Sequence, residues 1–457
     1  MKVRKTFPVE IAVIPGNVLF YPSELGDLEE IELIYFGQHS CPASVKQNPA
    51  INQSIVLSES LAESLKFDLT DIPLHLFIYG KTIHIGPLVG IFSSGFTGLS
   101  NKPLGERSPF FSKLLSLSRT TGCIPFVFGE NVINWDEETI KGYVFENDNW
   151  HIQEFPFPNV IYDRLPNRLT ENRDGPKEVK QKFQKDYTIP WFNPGFFNKW
   201  DVNERLCADE QALPYLPETY PFQSISVVET LLSHYRQVYI KPIHGSLGLG
   251  IHQILYDRHE NVYYCRYTNE ARENKLQKFS TLESIVKHLF HDRPLENLIV
   301  QQGISLIRSE KRPVDFRVHT NKDSNGVWQV TAIAAKIAGA GSVTTHIKSG
   351  GVIKTVAELF GDDDEAKEVE RKLSEAALLL SESMEKHLDG IIAEIGFDFG
   401  LDKKGQVWMF EANSKPGRSI FSHPKLKEFE LLTRKLSLDY AIYLTEQTIT
   451  NAISVQR

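Results

Sequence analysis

Two short segments of this chain carry side chains that could do chemistry together. In the first, Ile391-Ile-Ala-Glu-Ile-Gly-Phe-Asp-Phe-Gly400 reads as a strand, Lys403-Lys404-Gly405 as a turn, and Val407-Trp-Met-Phe-Glu-Ala-Asn413 as a returning strand. Alternation predicts Glu394, Gly396 and Asp398 on one face and Ile395, Phe397 and Phe399 on the other. On the return strand it predicts that Val407, Met409, Glu411 and Asn413 fall together, with Trp408 and Phe410 opposite. The turn then sets Asp398 opposite or diagonal to Glu411, about 5–8 Å apart. Two carboxylates and an amide oxygen on one pleat suit Mg²⁺, which takes one or two carboxylates and completes its octahedron with water and phosphate oxygens. An ordinary solvated sheet face is the competing reading. Asn413-Ser-Lys-Pro-Gly417 breaks the strand directly behind the pair and weighs against it.

The second segment is Val238-Tyr-Ile-Lys-Pro-Ile-His-Gly-Ser-Leu-Gly-Leu-Gly250. A β-rich run ends in Lys241-Pro242, and glycines follow at Gly245, Gly248 and Gly250. Such glycines let backbone N–H groups turn toward a polyphosphate, which a nearby ammonium neutralises. The lysine precedes the glycines, so the segment is not a P-loop, and no dinucleotide-binding helix opens behind it. A plain glycine-rich hairpin remains the bland alternative.

Together these segments resemble the ATP-grasp superfamily, and within it the chain is similar to the YheC/YheD group of endospore coat-associated proteins. Ile85-Gly-Pro-Leu-Val-Gly-Ile91, Tyr162-Asp-Arg-Leu-Pro-Asn-Arg168, Phe196-Phe-Asn-Lys-Trp200, Leu216-Pro-Glu-Thr219 and Asp315-Phe-Arg317 carry the likeness with the Glu411 segment. The length suits the longer of the group's two member types. The resemblance implies that Lys241 holds the α- and β-phosphates, that Lys199 is an earlier phosphate-contacting lysine, and that Gly245, Ser246 and Gly248 belong to the nucleotide site. It implies that Lys336 faces the triphosphate, and that Arg317 steadies the γ-phosphate or an acyl phosphate formed from it. Asp398, Glu411 and Asn413 would ligate Mg²⁺. Leu298–Ile304 resembles the strand bordering adenine and brings Gln301, Gln302 and Ile304 to the nucleotide, with Gln301-Gln302 standing where many relatives carry an acidic residue.

The residues themselves support these roles unevenly. Lys336 lies in the apolar run Thr331-Ala-Ile-Ala-Ala-Lys-Ile-Ala338, where an unpaired ammonium would be costly. Arg317 and Asp315 alternate to one face, so a structural pair between them competes with a phosphate role. Arg418 meets either an anionic substrate or solvent. Arg164 and Arg168 bind a substrate carboxylate or cap a domain interface, and His244 and His252 read as structural.

The expected fold class is α/β and α+β multidomain. Residues 1–86 form a small β-rich module, with a helix at Glu59–Leu65 capped by Ser58. Residues 87–190 form an α/β domain with a parallel sheet, and residues 191–450 the ATP-grasp lobes with ATP between them. Leu373, Ala376, Ala377, Leu380, Met384 and Leu388 repeat at helical spacing and mark a packed helix face behind the acidic start Asp362–Glu365. The small-residue loop 337–351 is a candidate lid.

A net charge of −8 with no dense basic run argues against nucleic-acid binding. The four scattered cysteines fit free thiols in a reducing cytoplasm. Neither a signal-peptide core nor a stretch of the roughly 20 apolar residues of a membrane span is expected. The resemblance implies a cytoplasmic carboxylate–amine or carboxylate–thiol ligase using ATP and Mg²⁺, with spore-coat proteins as further partners. A nucleotide-binding coat-assembly protein and a small-molecule kinase are the competing readings.

Overall fold

The computed structural model describes residues 5–48, 53–69, 72–245, 249–269, 271–291, 294–343, 345, 350–361 and 363–454, with side chains to residue 450. Ser246, Gly248, Asp362 and much of the candidate lid lie outside the described residues. The described strands form four sheets in chain order.

The first sheet has eight strands drawn from residues 6–86, with Thr6–Ala12 between Pro73–Tyr79 and Ile55–Ser58. The expected helix is present as Glu59–Ser64, and the Ser58 hydroxyl accepts from the Leu61 N–H at 3.3 Å. In the second sheet Leu88–Phe92 runs parallel to both Ile124–Phe128 and Val160–Asp163. These strands are buried along their whole length, as a parallel sheet covered on both faces requires. The polar stretch 167–186 folds as the helices Arg168–Glu171 and Asp174–Lys185.

The third sheet is antiparallel, in the order Thr219–Pro221, Leu298–Gln302, Gln237–Pro242, His252–Asp257, Val262–Thr268, Asn274–Phe279. The glycine segment is thus the connection of a true hairpin, from Pro242 to His252. The fourth sheet runs Val352–Lys354, Trp328–Ile337, Arg312–Lys322, Glu394–Leu401, Val407–Asn413, also antiparallel.

Alternation divides the fourth sheet into two chemically distinct faces. Val314, Phe316, Val318, Ile337, Ile395, Phe397 and Phe399 pack against Leu373, Ala376, Ala377, Leu380 and Met384 of the helix Asp363–His387. The other face carries Asp315, Arg317, Lys336, Asp398 and Glu411. The apolar layer therefore fixes which side chains can meet on the far side.

The final helix, Lys427–Ser454, packs on the fourth sheet at Arg312–Lys322 and Trp328–Ile337 and on the second sheet at Val160–Asp163. Its Leu438, Tyr440, Ala441, Ile442 and Leu444 pack with Val89, Ile91, Val127, Val160 and Tyr162.

Leu380 is fully buried at the centre of the helix–sheet layer. Leu380→Ala should destabilise the protein by about 2–5 kcal/mol, read as a lower urea midpoint. An unchanged midpoint would show that this layer does not hold the charged face in place.

Candidate active site

The hairpin Glu394–Leu401/Val407–Asn413 pairs Asp398 directly with Glu411, and Gly396 with Asn413. Strict alternation fails on the second strand. The register skips a residue after Asp398, pairing Phe399 with Met409 and leaving Phe410 as a bulge. Val407, Met409 and Ala412 consequently join the apolar layer, in place of the expected grouping of Val407 and Met409 with Glu411. Phe410 and Glu411, adjacent in sequence, both lie on the charged side. The Phe410 ring fills the space beside Gly400, where a Cβ would lie 2.4 Å from its Cζ, and its centroid is 5.4 Å from Lys241 Nζ.

Asp398 is gripped by cations. Arg317 donates to it from Nε at 3.1 Å and from Nη2 at 2.9 Å, and Lys336 Nζ lies 2.7 Å from Oδ1. Lys336 also pairs with Asp315 at 3.0 Å, and Asp315 accepts a hydrogen bond from Thr345. The expected alternative pairing of Arg317 with Asp315 is replaced by this exchange of partners. Across the cleft, Lys199 heads the helix Lys199–Leu206, whose Asn198 cap accepts from the N–H groups of Trp200 and Asp201. Its ammonium donates to the Gly245 carbonyl and to Glu411 Oε1, each at 2.8 Å. One side chain thereby ties the glycine hairpin of the third sheet to the carboxylate hairpin of the fourth.

Lys241 is buried and donates to Gln301 Oε1, while Gln301 Nε2 donates to Thr219 Oγ1 at 3.0 Å. The Gln301 amide thus holds Lys241. Gln302 turns its Oε1 to the Glu218 N–H at 3.1 Å, and Ile304 is buried at the end of the same segment. His252 packs between Tyr267 and Phe290 as a core residue. His244 and Arg168 line a separate cavity of about 290 Å³ beside Asn198.

A family model described as YheC/D like ATP-grasp matches residues 188–444, more than half of the chain. The chain belongs to the YheC/D-like ATP-grasp family. It is 42% identical over 449 residues to the endospore coat-associated protein YheD of Bacillus subtilis (strain 168), covering 98% of each chain. It is 23% identical over 296 residues to the endospore coat-associated protein YheC of the same organism, covering 63% of this chain and 78% of that one. Among solved structures, the VanG D-Ala:D-Ser ligase from Enterococcus faecalis aligns with a TM-score of 0.46 at 12% identity, over 78% of this chain and 99% of that one. The D-alanine-D-alanine ligase from Coxiella burnetii aligns with a TM-score of 0.44 at 11% identity, over 80% and 99%. The family membership establishes the ATP-grasp fold that the two sequence segments suggested.

On this fold the site is a charge lattice: Lys199, Lys241, Arg317 and Lys336 against Asp315, Asp398 and Glu411. Burial would raise the Asp398 carboxyl, but Arg317 and Lys336 overcome it and hold it at about 2. Burial dominates at Asp315 and leaves its carboxyl raised, although Lys336 opposes it. Lys336 escapes the depression that burial imposes because Asp315 and Asp398 flank it, so its pKa is raised. Burial pushes Lys241 down to about 8, against the pull of Glu411.

Asp398, Glu411 and Asn413 fit a hard divalent cation by donor chemistry. The Glu411 side chain is 24% exposed, so its carboxylate can be reached from the cleft. Asn413 Nδ2 donates to the Gly396 carbonyl at 3.3 Å, which leaves Oδ1 as the acceptor. Among the described residues no three His, Cys, Asp or Glu side chains converge as a metal cluster, so Asn413 and ligand oxygens must complete any such set.

Sequence reasoning omitted Asp315 from the site, although its alternation with Arg317 was a usable signal. It weighed an anionic substrate against solvent exposure for Arg418, whose side chain is only 12% exposed and lies 3.6 Å from Glu394.

The folded protein releases the Lys241 proton near pH 8, and the unfolded chain near pH ~10.4. Between these values the unfolded state binds more protons, so this residue's contribution to stability rises with pH. The unfolding free energy of wild type should therefore gain on that of Lys241→Met from about pH 8 to about pH 10. A pH-independent difference would show that Lys241 titrates normally.

Proposed function

We propose that this protein is an ATP-dependent ligase that activates a substrate carboxylate as an acyl phosphate and passes it to an amine or thiol. The observation that carries this reading is the paired lattice. Cations from two sheets converge on carboxylates, of which Asp398 is held ionised by Arg317 and Lys336, and such an arrangement stabilises charge developing on a transferred phosphoryl group.

In this reading Lys241 holds the α- and β-phosphates, Lys199 contacts phosphate, and Gly245 begins the loop beside them. Leu298–Ile304 borders the adenine through Gln302 and Ile304, while Gln301 positions Lys241. Asp398, Glu411 and Asn413 hold Mg²⁺, which would supply charge neutralisation and orientation of the γ-phosphate. Arg317 and Lys336 release part of their grip on Asp398 to meet the γ-phosphate as the substrate carboxylate attacks phosphorus and ADP leaves. Arg317 then steadies the acyl phosphate until the incoming nitrogen or sulfur attacks its carbonyl and phosphate departs. The same reading assigns residues 191–450 to the lobes, 87–190 to the domain before them and 1–86 to a docking module. By likeness to the coat-associated relatives it works during sporulation, in the mother-cell cytoplasm or at the coat.

Those relatives' names also favour a second reading, a nucleotide-binding coat-assembly protein without turnover. ADP release in the presence of Mg-ATP and pooled amino acids and peptides separates the two. Acid-dependent release is the expected result, and nucleotide binding without it supports the assembly role.

Glu411→Gln keeps an acceptor for Lys199 and removes the charge. It should lower ADP release by roughly 100-fold or more while leaving the unfolding midpoint within experimental error. Normal turnover by this variant would overturn the metal assignment.

A further inference from the structure

A second cationic site lies behind the carboxylate hairpin. A cavity of about 360 Å³ opens between the helix Ser108–Leu115, the loop after Asn413 and the C-terminal helix, and Arg107, Lys113, Arg164, Lys415, Arg418 and Arg434 line it. The guanidinium carbons of Arg164, Arg418 and Arg434 stand 4.8, 5.1 and 5.3 Å from the centroid of one ring, Phe110.

The carboxylates present do not match this charge. Glu394 serves both Arg164, at 3.0 Å, and Arg418, at 3.6 Å. Glu430 serves both Arg434, at 2.7 Å, and Lys113, at 3.4 Å. Lys415 pairs with Asp163 at 2.6 Å, while Arg107, over the Phe111 ring, donates to the Ser93 hydroxyl and the Ser94 carbonyl and has no carboxylate partner among the described residues. Six cations thus share three carboxylates, in a chain whose net charge is −8. Among the described residues, Nε of Arg418 and Nε of Arg434 are buried without a hydrogen-bond partner, as is Oε1 of Glu394. Burial, then the nearby Arg434 and Arg164, push the Arg418 guanidinium down to about 10 despite Glu394. Crowded, under-satisfied guanidiniums of this kind are what an anion relieves.

The cavity also adjoins the phosphate side of the first site. Pro416 lines it and packs on Gly396, where a Cβ would lie 2.4 Å from Pro416 Cβ and 2.8 Å from Arg317 Nη1. An acid held here is one proline away from the guanidinium assigned to the γ-phosphate.

We propose that this cavity is the substrate subsite and takes a molecule with at least two carboxylates, an acidic amino acid or the acidic end of a peptide. One carboxylate is anchored among Arg164, Arg418 and Arg434, and another reaches Arg317 for activation. The second half rests on the ligase reading; the anchoring does not.

The test is isothermal titration of a tetraglutamate peptide, in the absence of ATP, into the full-length protein. Expected is one-to-one binding that weakens with salt and falls about tenfold or more in Arg418→Gln. Lys113→Gln, at a rim position whose side chain is 55% exposed, should weaken it by a few-fold without threatening the fold. Glu411→Gln should bind the peptide as wild type does, so loss of turnover and loss of anchoring can be told apart. Binding of equal strength in wild type, Arg418→Gln and Lys113→Gln would overturn the proposal, as would binding of inorganic tripolyphosphate without binding of the peptide.

Discussion

The buried Asp398 carboxylate is the constraint around which the candidate site is built. A lone carboxylate in that position would be protonated or would unfold its surroundings. Arg317 and Lys336 prevent both, and in doing so they become fixed on the cleft side of the sheet. Lys336 in turn requires Asp315, so four side chains on three neighbouring strands stabilise one another. Replacing Asp398 by an apolar residue would leave Arg317 without its carboxylate, and replacing Lys336 would leave Asp315 without its cation. Such mutual dependence gives a rigid arrangement, which the proposed phosphoryl transfer would need more than any individual ion pair.

The two sheets that form the cleft meet through few side chains. Lys199 links the Gly245 carbonyl to Glu411, and Lys241 lies over Phe410 while bound to Gln301. These ties are polar and reach across a gap, whereas the apolar layers of the third and fourth sheets are separate clusters. The lobes are thus joined at the site itself, and a bound triphosphate would compete for the ammonium groups that join them.

Much of this was readable from sequence because period-two patterns report faces directly. The run from Ile391 to Gly400 showed its apolar and charged sides, and Lys336 within an alanine-rich strand pointed to phosphates, whereas the structure sets Asp315 and Asp398 against it. What alternation cannot show is a bulge: Phe410 shifts parity without any mark in the local pattern. Nor could it reveal convergence from distant elements. Arg434 lies on the final helix, which packs on both the fourth and the second sheet, and only the fold brings it beside Arg164 and Arg418 at the Phe110 ring. Gln301 was read as bordering adenine, and its hydrogen bond to Lys241 depends on a cross-strand register that the sequence does not display.

The bulge carries a consequence for how such a hairpin could arise. Were Phe410 absent, Met409 would still point inward and the following glutamate would still point outward, so the opposed acids need no irregularity. The extra residue instead supplies an aromatic floor beneath the Lys241 ammonium. The hairpin can therefore be regarded as two inventions: a regular ribbon sufficient to oppose the acids, and a one-residue insertion that cushions the neighbouring cation.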